Sequence, residues 1–285
     1  MPSLPTLVLA VFALAIFGLQ EFRVNVTAVE VDAFVGRGGK AILGLTPADF
    51  ELYDDDSLQT IERIETQGLP VRVILALDTS HSVQGKKLEH LKSAARALLE
   101  ALEPEDGAAV VTFSCVVEGT VAFDGPLDPL FSAVEKARSC GSTALNDGVF
   151  AALKLSEGVD HPMIVVFTDG DDRFSWLDGD QVLETAGISE APIFVVTPRS
   201  DQGSLRLNRA LLRHLSDLSG GELYEARSTG ELADIFREVL AKAKTRYVLT
   251  FVPTDPKPGW HSLRIKLKTR RAEVRARRGY YYRPR

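Results

Sequence analysis

The chain has 285 residues, longer than one typical folding unit and enough to bury a sizeable core. Its 33 Lys and Arg stand against 39 Asp and Glu, a formal net charge of −6, which argues against a chain built throughout to hold polyanions. Two cysteines and five histidines form no zinc-ligand cluster, and no nucleophile elbow, Walker loop or glycine-rich dinucleotide fingerprint occurs.

Residues 7–19 are an unbroken apolar run of signal-peptide length, shorter than the roughly 20 residues a membrane span needs. No Lys or Arg precedes it and no clean small-residue cleavage motif follows. Residues 1–20 are therefore expected to be an atypical signal peptide, with an uncleaved N-terminal anchor as the alternative; export to the periplasm, envelope or medium is expected. Residues 21–68 lack a long helical period and read as strands. Phe22, Val24 and Val26 alternate, then the phase slips near Ala28-Val29 as at a bulge. Gly36-Arg37-Gly38-Gly39 and Asp54-Asp55-Asp56-Ser57 read as turns.

A continuous apolar strand over residues 71–77 ends in Asp78-Thr79-Ser80-His81-Ser82. Side chains at i, i+2 and i+4 of an extended segment share one side, so Asp78, Ser80 and Ser82 are expected to aim three oxygens at one point. Such a donor set suits a hard divalent cation, and the same alternation turns His81 away from it. The competing reading is an ordinary turn, where Ser and Asp are common.

Farther along, a helical period over residues 88–102 stops at Pro104. A strand at 108–113 is followed by Cys115, and Asp128-Pro129 places a capping side chain before a first-turn proline. Cys140 directly precedes the small-residue loop Gly141-Ser142-Thr143-Ala144-Leu145-Asn146-Asp147-Gly148, which leads into a helix near 149–153 with Asn146 and Asp147 as expected caps. A second buried strand, 161–168, ends in Asp169-Gly170. Asp171, Asp172, Asp178 and Asp180 then form an acidic loop without EF-hand spacing, read as solvated. After a strand at 193–197, Ser228-Thr229-Gly230-Glu231 reads as a capping box or near miss before a helix at 232–240. Apolar strands alternating with helices predict an α/β, doubly wound, mostly parallel sheet over residues 69–244. Ligands of such sheets bind beyond the carboxyl ends of the strands, where Asp78 and Asp169 fall.

Residues 247–252, 262–267 and 272–277 alternate apolar and polar positions around the Pro/Gly-rich stretch 253–259. Neither flank alone has enough strands for a stable core. Residues 21–68 and 245–285 are therefore expected to pair into one small β-sandwich with the α/β unit inserted between them. From Arg264 onward ten Lys and Arg face a single Glu. Arg264, Lys266 and Lys268 alternate with Leu263, Ile265 and Leu267, as on the solvent face of a strand, so nucleic acid is not the favoured partner.

Asp78, Ser80 and Ser82, followed in order by Thr143 and Asp169, resemble the von Willebrand factor A-type (VWA) family and its metal-ion-dependent adhesion site, spelled D-x-S-x-S, then a distant Thr, then a distant Asp. The resemblance implies direct metal contact by Ser80, Ser82 and, depending on state, Thr143 or Asp78, with Asp169 often acting through a water. It implies Mg2+, with Mn2+ or Ca2+ as alternatives, and a protein partner whose Asp or Glu carboxylate completes the metal. A binding module rather than an enzyme is the expectation, with His81, Arg173, Phe174 and Trp176 as its rim. Two other readings are a metal-assisted hydrolase or phosphatase using Asp78, and an architectural module with a stabilising metal. The flanks, through Gly44-Leu45-Thr46-Pro47-Ala48-Asp49-Phe50-Glu51-Leu52-Tyr53 and Arg277-Arg278-Gly279-Tyr280-Tyr281, also resemble a narrower group, the exported bacterial "VWFA-related domain" proteins. In this fold Cys115 and Cys140 would lie toward the same sheet edge. A disulfide tethering the Thr143 loop and a pair of buried thiols are both open readings.

Overall fold

The computed structural model describes residues 28–66, 68–169, 172–199, 205–254, 256–268 and 271–283. The expected signal or anchor segment and the alternation at Phe22, Val24 and Val26 lie outside them. The first flank supplies β1 (Val29–Arg37), β2 (Lys40–Ala41), β3 (Phe50–Asp54), β4 (Ser57–Gln59) and β5 (Ile61–Thr66). The central unit runs β6 (Arg72–Asp78), α1 (Lys86–Glu100), β7 (Gly107–Phe113), β8 (Val117–Ala122), α2 (Asp128–Lys136), α3 (Leu145–Ser156), β9 (Pro162–Phe167), α4 (Gly179–Ile188), β10 (Ile193–Pro198), α5 (Leu205–Ser219), β11 (Leu223–Ala226) and α6 (Leu232–Lys244). The last flank supplies β12 (Tyr247–Phe251), β13 (Gly259–Leu267), β14 (Glu273–Ala276) and β15 (Gly279–Tyr282).

Between Arg72 and Asp78, β6 carries only apolar side chains, so both of its faces must be covered. Val73, Leu75 and Leu77 pack with α1, α2 and α6, while Ile74 and Ala76 pack with α3, α4 and α5. β6 sits inside a six-stranded sheet of order β11-β10-β9-β6-β7-β8, parallel except for the antiparallel edge strand β8. This is the expected doubly wound architecture. β8 escaped the sequence because its half-exposed Val-Glu-Gly-Thr-Val-Ala has no apolar run.

The helix starts differ from the expected caps. Asp128 is the first residue of α2 rather than its cap, where its charge still favours the positive end of the helix dipole. Ser228 caps nothing with its side chain; Thr229–Glu231 forms a short 3-10 turn instead. α3 begins at Leu145, so Asn146 and Asp147 lie within its first turn rather than before it.

The flanks interleave into one sandwich. A five-stranded sheet has order β14-β1-β12-β5 with β2 against β1, and a four-stranded sheet has order β15-β13-β3-β4. β1 from the first flank lies between β12 and β14 from the last, so neither flank can form its sheet alone. Val31, Val35, Leu52, Leu249, Phe251 and Leu263 fill the space between the sheets. Arg264 and Lys266 point to solvent from β13, as their alternation requires.

Arginines join the sandwich to the α/β unit. The buried Arg246 donates to the carbonyls of Gly220, in the α/β unit, and Asp32, in the sandwich. The buried Arg277 pairs with Glu190 of the α/β unit at 3.6 Å while donating to the Glu30 carbonyl of its own sandwich. Gly220 sits at φ +79°, and a Cβ there would lie 2.4 Å from the Ala276 carbonyl carbon, so the junction closes only on glycine.

Asp54, Asp55 and His261 gather in the sandwich, but as an ion-pair clamp rather than a metal centre. His261 Nδ1 is 2.9 Å from Asp54 Oδ1, and Nε2 is 2.7 Å from the Lys257 carbonyl. With Asp54 ionised both neighbours are pure acceptors, so both ring nitrogens donate and neither offers a lone pair. Tyr280 donates to the other Asp54 oxygen at 2.9 Å. Burial works against the charged imidazole, but the bonds to Lys257 and Asp54 and the charges of Asp54 and Asp55 outweigh it and raise its pKa above 6.5. A folded pKa raised above the unfolded value gives stability that is complete below the unfolded value and lost as pH rises through the folded one. The urea midpoint of the intact chain is therefore expected to fall as pH rises from about 6 into the alkaline range, and His261→Asn to flatten that arm. A wild-type arm no steeper than the variant's would refute the clamp.

Candidate metal centre

The site lies at the carboxyl ends of β6 and β9. Asp78 closes β6, and its side chain is fully buried at the edge of two apolar layers. An isolated carboxylate there would be costly, and its two oxygens are accordingly held. Ser80 N–H donates to Oδ1 at 2.8 Å, and the Thr168 hydroxyl donates to Oδ2 at 2.7 Å. Register explains Thr168: Leu77 pairs with Phe167 in the parallel ladder, so the next residues of the two strands are neighbours. Burial raises the Asp78 pKa above the usual carboxylate range; the Ser80 and Thr168 bonds oppose that, and the nearby Asp169 adds to it.

The D-x-S-x-S segment is not extended. β6 stops at Asp78, Ser80 precedes a 3-10 turn at His81–Val83, and Gly85 at φ +68° leads into α1. The expected strand alternation is thus replaced by a turn, which still brings the oxygens together. Ser80 Oγ lies 2.9 Å from Ser82 Oγ, and Ser82 Oγ donates to Asp169 Oδ1 at 2.5 Å. Thr143 is buried, and its carbonyl accepts from the backbone N–H groups of Arg173 and Phe174 at 2.9 and 3.1 Å.

Lys87 was missed by sequence reading. From the first turn of α1 it donates to Asp169 Oδ2 at 2.5 Å and to the Ser82 carbonyl at 3.0 Å. The Asp169 side chain is only 4% exposed while that of Lys87 is 47% exposed, so the pair is buried on its carboxylate side and screened by solvent on its ammonium side. The signal was present: Gly85-Lys86-Lys87 starts a helix just after the serines, and one helical turn folds back over them.

The donors fit the group that the resemblance implies. Oxygen ligands about 2.1 Å from a metal in an octahedron are neighbours at about 3 Å, the scale of the 2.9 and 2.5 Å contacts along Ser80, Ser82 and Asp169. All of these donors are hard oxygens.

The rim residues fall on loops beside these oxygens. His81 is exposed, and its N–H donates to the Gly141 carbonyl at 3.0 Å. Arg173 is exposed, Phe174 is 54% exposed and Trp176 is 94% exposed. Their loop is pinned by residues the sequence reading took for caps. Asp147 accepts from the N–H groups of Trp176 and Leu177, both at 3.0 Å, and Asn146 donates to the Leu177 carbonyl. In the acidic run Asp178 and Asp180 are exposed, as expected of a solvated loop, while Asp172 is half-buried. Asp172 accepts from Asn146 N–H and the Ser175 hydroxyl, and Asp178 caps α4 in a reciprocal box with Gln181. Asp171 lies outside the described residues. Cys115 and Cys140 are free thiols with sulfurs 3.6 Å apart, and Cys140 is exposed rather than buried.

A mostly parallel, doubly wound sheet with helices on both faces and an oxygen cluster at its carboxyl edge defines the class of α/β fold to which the central unit belongs. The sequence profile of the von Willebrand factor type A domain family matches residues 73–171, the stretch that runs from β6 past β9 and carries the oxygen cluster. A von Willebrand factor type A protein from Catenulispora acidiphila superposes over 89% of this chain and 73% of its own, with TM-score 0.54 and 14% identity. Proximal thread matrix protein 1 of the mussel byssus superposes over 65% of this chain and 49% of its own, with TM-score 0.53 and 16% identity. For a D319A mutant of the PilB minor pilin from Streptococcus sanguinis the figures are 62% and 62%, TM-score 0.51 and 12% identity. Likeness at these identities concerns the fold. An uncharacterized protein of Synechocystis sp. is 27% identical over 183 residues, 61% of this chain and 42% of its own, so the chain spans about two fifths of that relative.

Removing the Thr168 hydroxyl should leave one oxygen of the buried Asp78 carboxylate short of a partner. Thr168→Val is expected to cost about 1–3 kcal/mol in urea unfolding. Trp176→Ala is expected to stay within about 0.5 kcal/mol of wild type.

Proposed function

We propose that the chain is an exported protein-binding module in which a divalent cation, held by Ser80, Ser82 and Thr143 with Asp78 and Asp169, receives an Asp or Glu carboxylate from a protein partner. The continuous oxygen run Ser80–Ser82–Asp169 beside the buried Asp78 carries this reading. Mg2+ is the favoured ion, with Mn2+ and Ca2+ as substitutes. The bound cation would supply an electrophilic position for the incoming carboxylate. The chain's own residues orient it: Asp78 holds the Ser80 turn, and Asp147 presents Phe174 and Trp176 beside the site. Such exposed aromatic groups are suited to the desolvated centre of an interface. Domains of this family are typically protein-interaction modules, which agrees with a non-enzymatic role. The narrower resemblance to exported bacterial "VWFA-related domain" proteins and the apolar residues 7–19 support export. No helix among the described residues is long and apolar enough to cross a membrane.

Lys87 sets a term in the affinity. Its ammonium faces the same Asp169 carboxylate that the cation needs, so like charges compete.

The test is thermal unfolding in EDTA, Mg2+, Mn2+ and Ca2+. Metal at about 100 times its dissociation constant should stabilise by about 2.7 kcal/mol. That corresponds to a shift of about 5–10 °C, which Ser82→Ala should reduce and Asp169→Asn abolish. Lys87→Met should lower the metal concentration needed. Absence of any shift, together with partner binding unchanged in EDTA, would overturn the metal-dependent reading. Turnover of phosphate or ester substrates lost in Asp78→Asn would replace it with a hydrolase.

A further inference from the structure

The two cysteines of the chain meet where the candidate metal centre is laced together. Cys115 follows β7, and Cys140 precedes the Thr143 loop. They line a cleft of about 550 Å3 that opens to solvent. Cys115 Sγ and Cys140 Sγ are 3.6 Å apart, within van der Waals contact. A disulfide requires about 2.05 Å, so closure draws the sulfurs together by roughly 1.5 Å. Gly141 between them and Thr143 adopts φ +57°, and a Cβ there would fall 2.8 Å from Cys115 Sγ. The backbone of the loop thus rests directly on the Cys115 sulfur.

Residues 139–144 are also the splice between all parts of the site. Ser139 donates from its hydroxyl to the Ser80 carbonyl at 2.9 Å. Cys140 N–H donates to the Thr79 carbonyl at 3.0 Å, and the Gly141 carbonyl accepts from His81 N–H at 3.0 Å. Ala144 N–H reaches back to the Ser114 carbonyl at 2.8 Å, next to Cys115. A covalent bond between the sulfurs would therefore lock the Thr143 loop to the end of β7 and, through these bonds, to the serine turn.

We infer that Cys115 and Cys140 are an oxidisable dithiol, a modification site whose disulfide fixes residues 139–144 and thereby preorganises the Thr143 side of the metal centre. The accessible Cys140 thiolate attacks a sulfur of an external disulfide, releasing one thiol and forming a mixed disulfide. Cys115 then displaces the second thiol and closes the intramolecular bond. Two S–H bonds are lost and one S–S bond forms; the two electrons and two protons end on the external compound, which is reduced to two thiols. The effect on metal affinity rests on the function proposed above, whereas bridge formation and loop fixation do not.

The test equilibrates the full chain with oxidised and reduced glutathione, then measures thiol count, intact mass and amide hydrogen exchange. The expected product is a monomer lighter by two hydrogens, without reactive thiols, whose amides at 139–144 exchange at least tenfold more slowly and whose Tm rises by roughly 5–10 °C. Cys115→Ser and Cys140→Ser should each abolish these changes while leaving the reduced protein folded. Persistent thiols, stable glutathione adducts, intermolecular dimers or unchanged loop exchange would each overturn the inference. Metal titration of both forms completes it: three- to tenfold tighter Mg2+ binding in the oxidised form supports preorganisation, and equal affinity overturns that part. Failure of both forms to bind any metal overturns the proposed function instead, and loop exchange alone then decides the bridge.

Discussion

A single buried carboxylate organises the site end of this molecule. Asp78 terminates a strand whose other interior residues are apolar, so its charge lies where two hydrophobic layers meet rather than in water. Its oxygens can be satisfied only by groups brought from elsewhere: the hydroxyl of Thr168 across the parallel ladder and the N–H of Ser80 from the turn that follows. The first fixes β9 beside β6 at the carboxyl edge. The second bends the chain sharply enough to place Ser80, Ser82 and Asp169 in succession. A buried acceptor held this way favours one arrangement over its neighbours, because any other leaves an ionised oxygen without a donor.

Around that carboxylate the surrounding loops act mainly by holding one another. Residues 139–144 bridge the serine turn to the end of β7, while Asp147 and Asn146 hold the loop bearing Phe174 and Trp176. The helix α3 is therefore both part of the core and the anchor of the most exposed aromatic surface near the site. One face of it packs against Ile74 and Ala76, and its first turn grips the rim. Core packing and rim geometry are coupled through the same twelve residues.

The sequence made visible the strands and oxygen donors whose apolar and polar pattern is strong, though not the helix caps or the half-exposed β8. The apolar run before Asp78 could only be a strand covered on both faces, and Asp78, Ser80, Ser82, Thr143 and Asp169 have the spelling of a metal-linked site. The alternation in both flanks likewise pointed to one shared sandwich, and the structure adds that β1 lies between β12 and β14. What stayed hidden depends on geometry between distant segments. Lys87 reaches Asp169 across 82 positions, and Thr168 reaches Asp78 across 90. Thr168 has no distinctive local signature, and for Lys87 the helix start after the serines shows where the side chain begins but not that Asp169 receives it. Ser80 to Ser82 read as strand because alternation of oxygens looks the same in an extended chain and in a 3-10 turn after a strand. Asp147 read as a cap because Asp near a helix start usually is one, and only the folded rim loop shows where its oxygens go.

The insertion topology has a mechanical consequence. The α/β domain leaves and rejoins the sandwich through β5 and β12, whose adjoining ends pair at Thr66 and Tyr247. Both connections thus emerge side by side, at the edge of the domain opposite the oxygen cluster. β12 is also paired with β1, from Ala33 opposite Tyr247 to Val29 opposite Phe251. Traction applied at the oxygen cluster and resisted at the Val29 end of β1 therefore pulls the two strands in opposite directions along their lengths. The ladder is loaded in shear, its five register pairs bearing the force together rather than opening one after another as in a peeled hairpin.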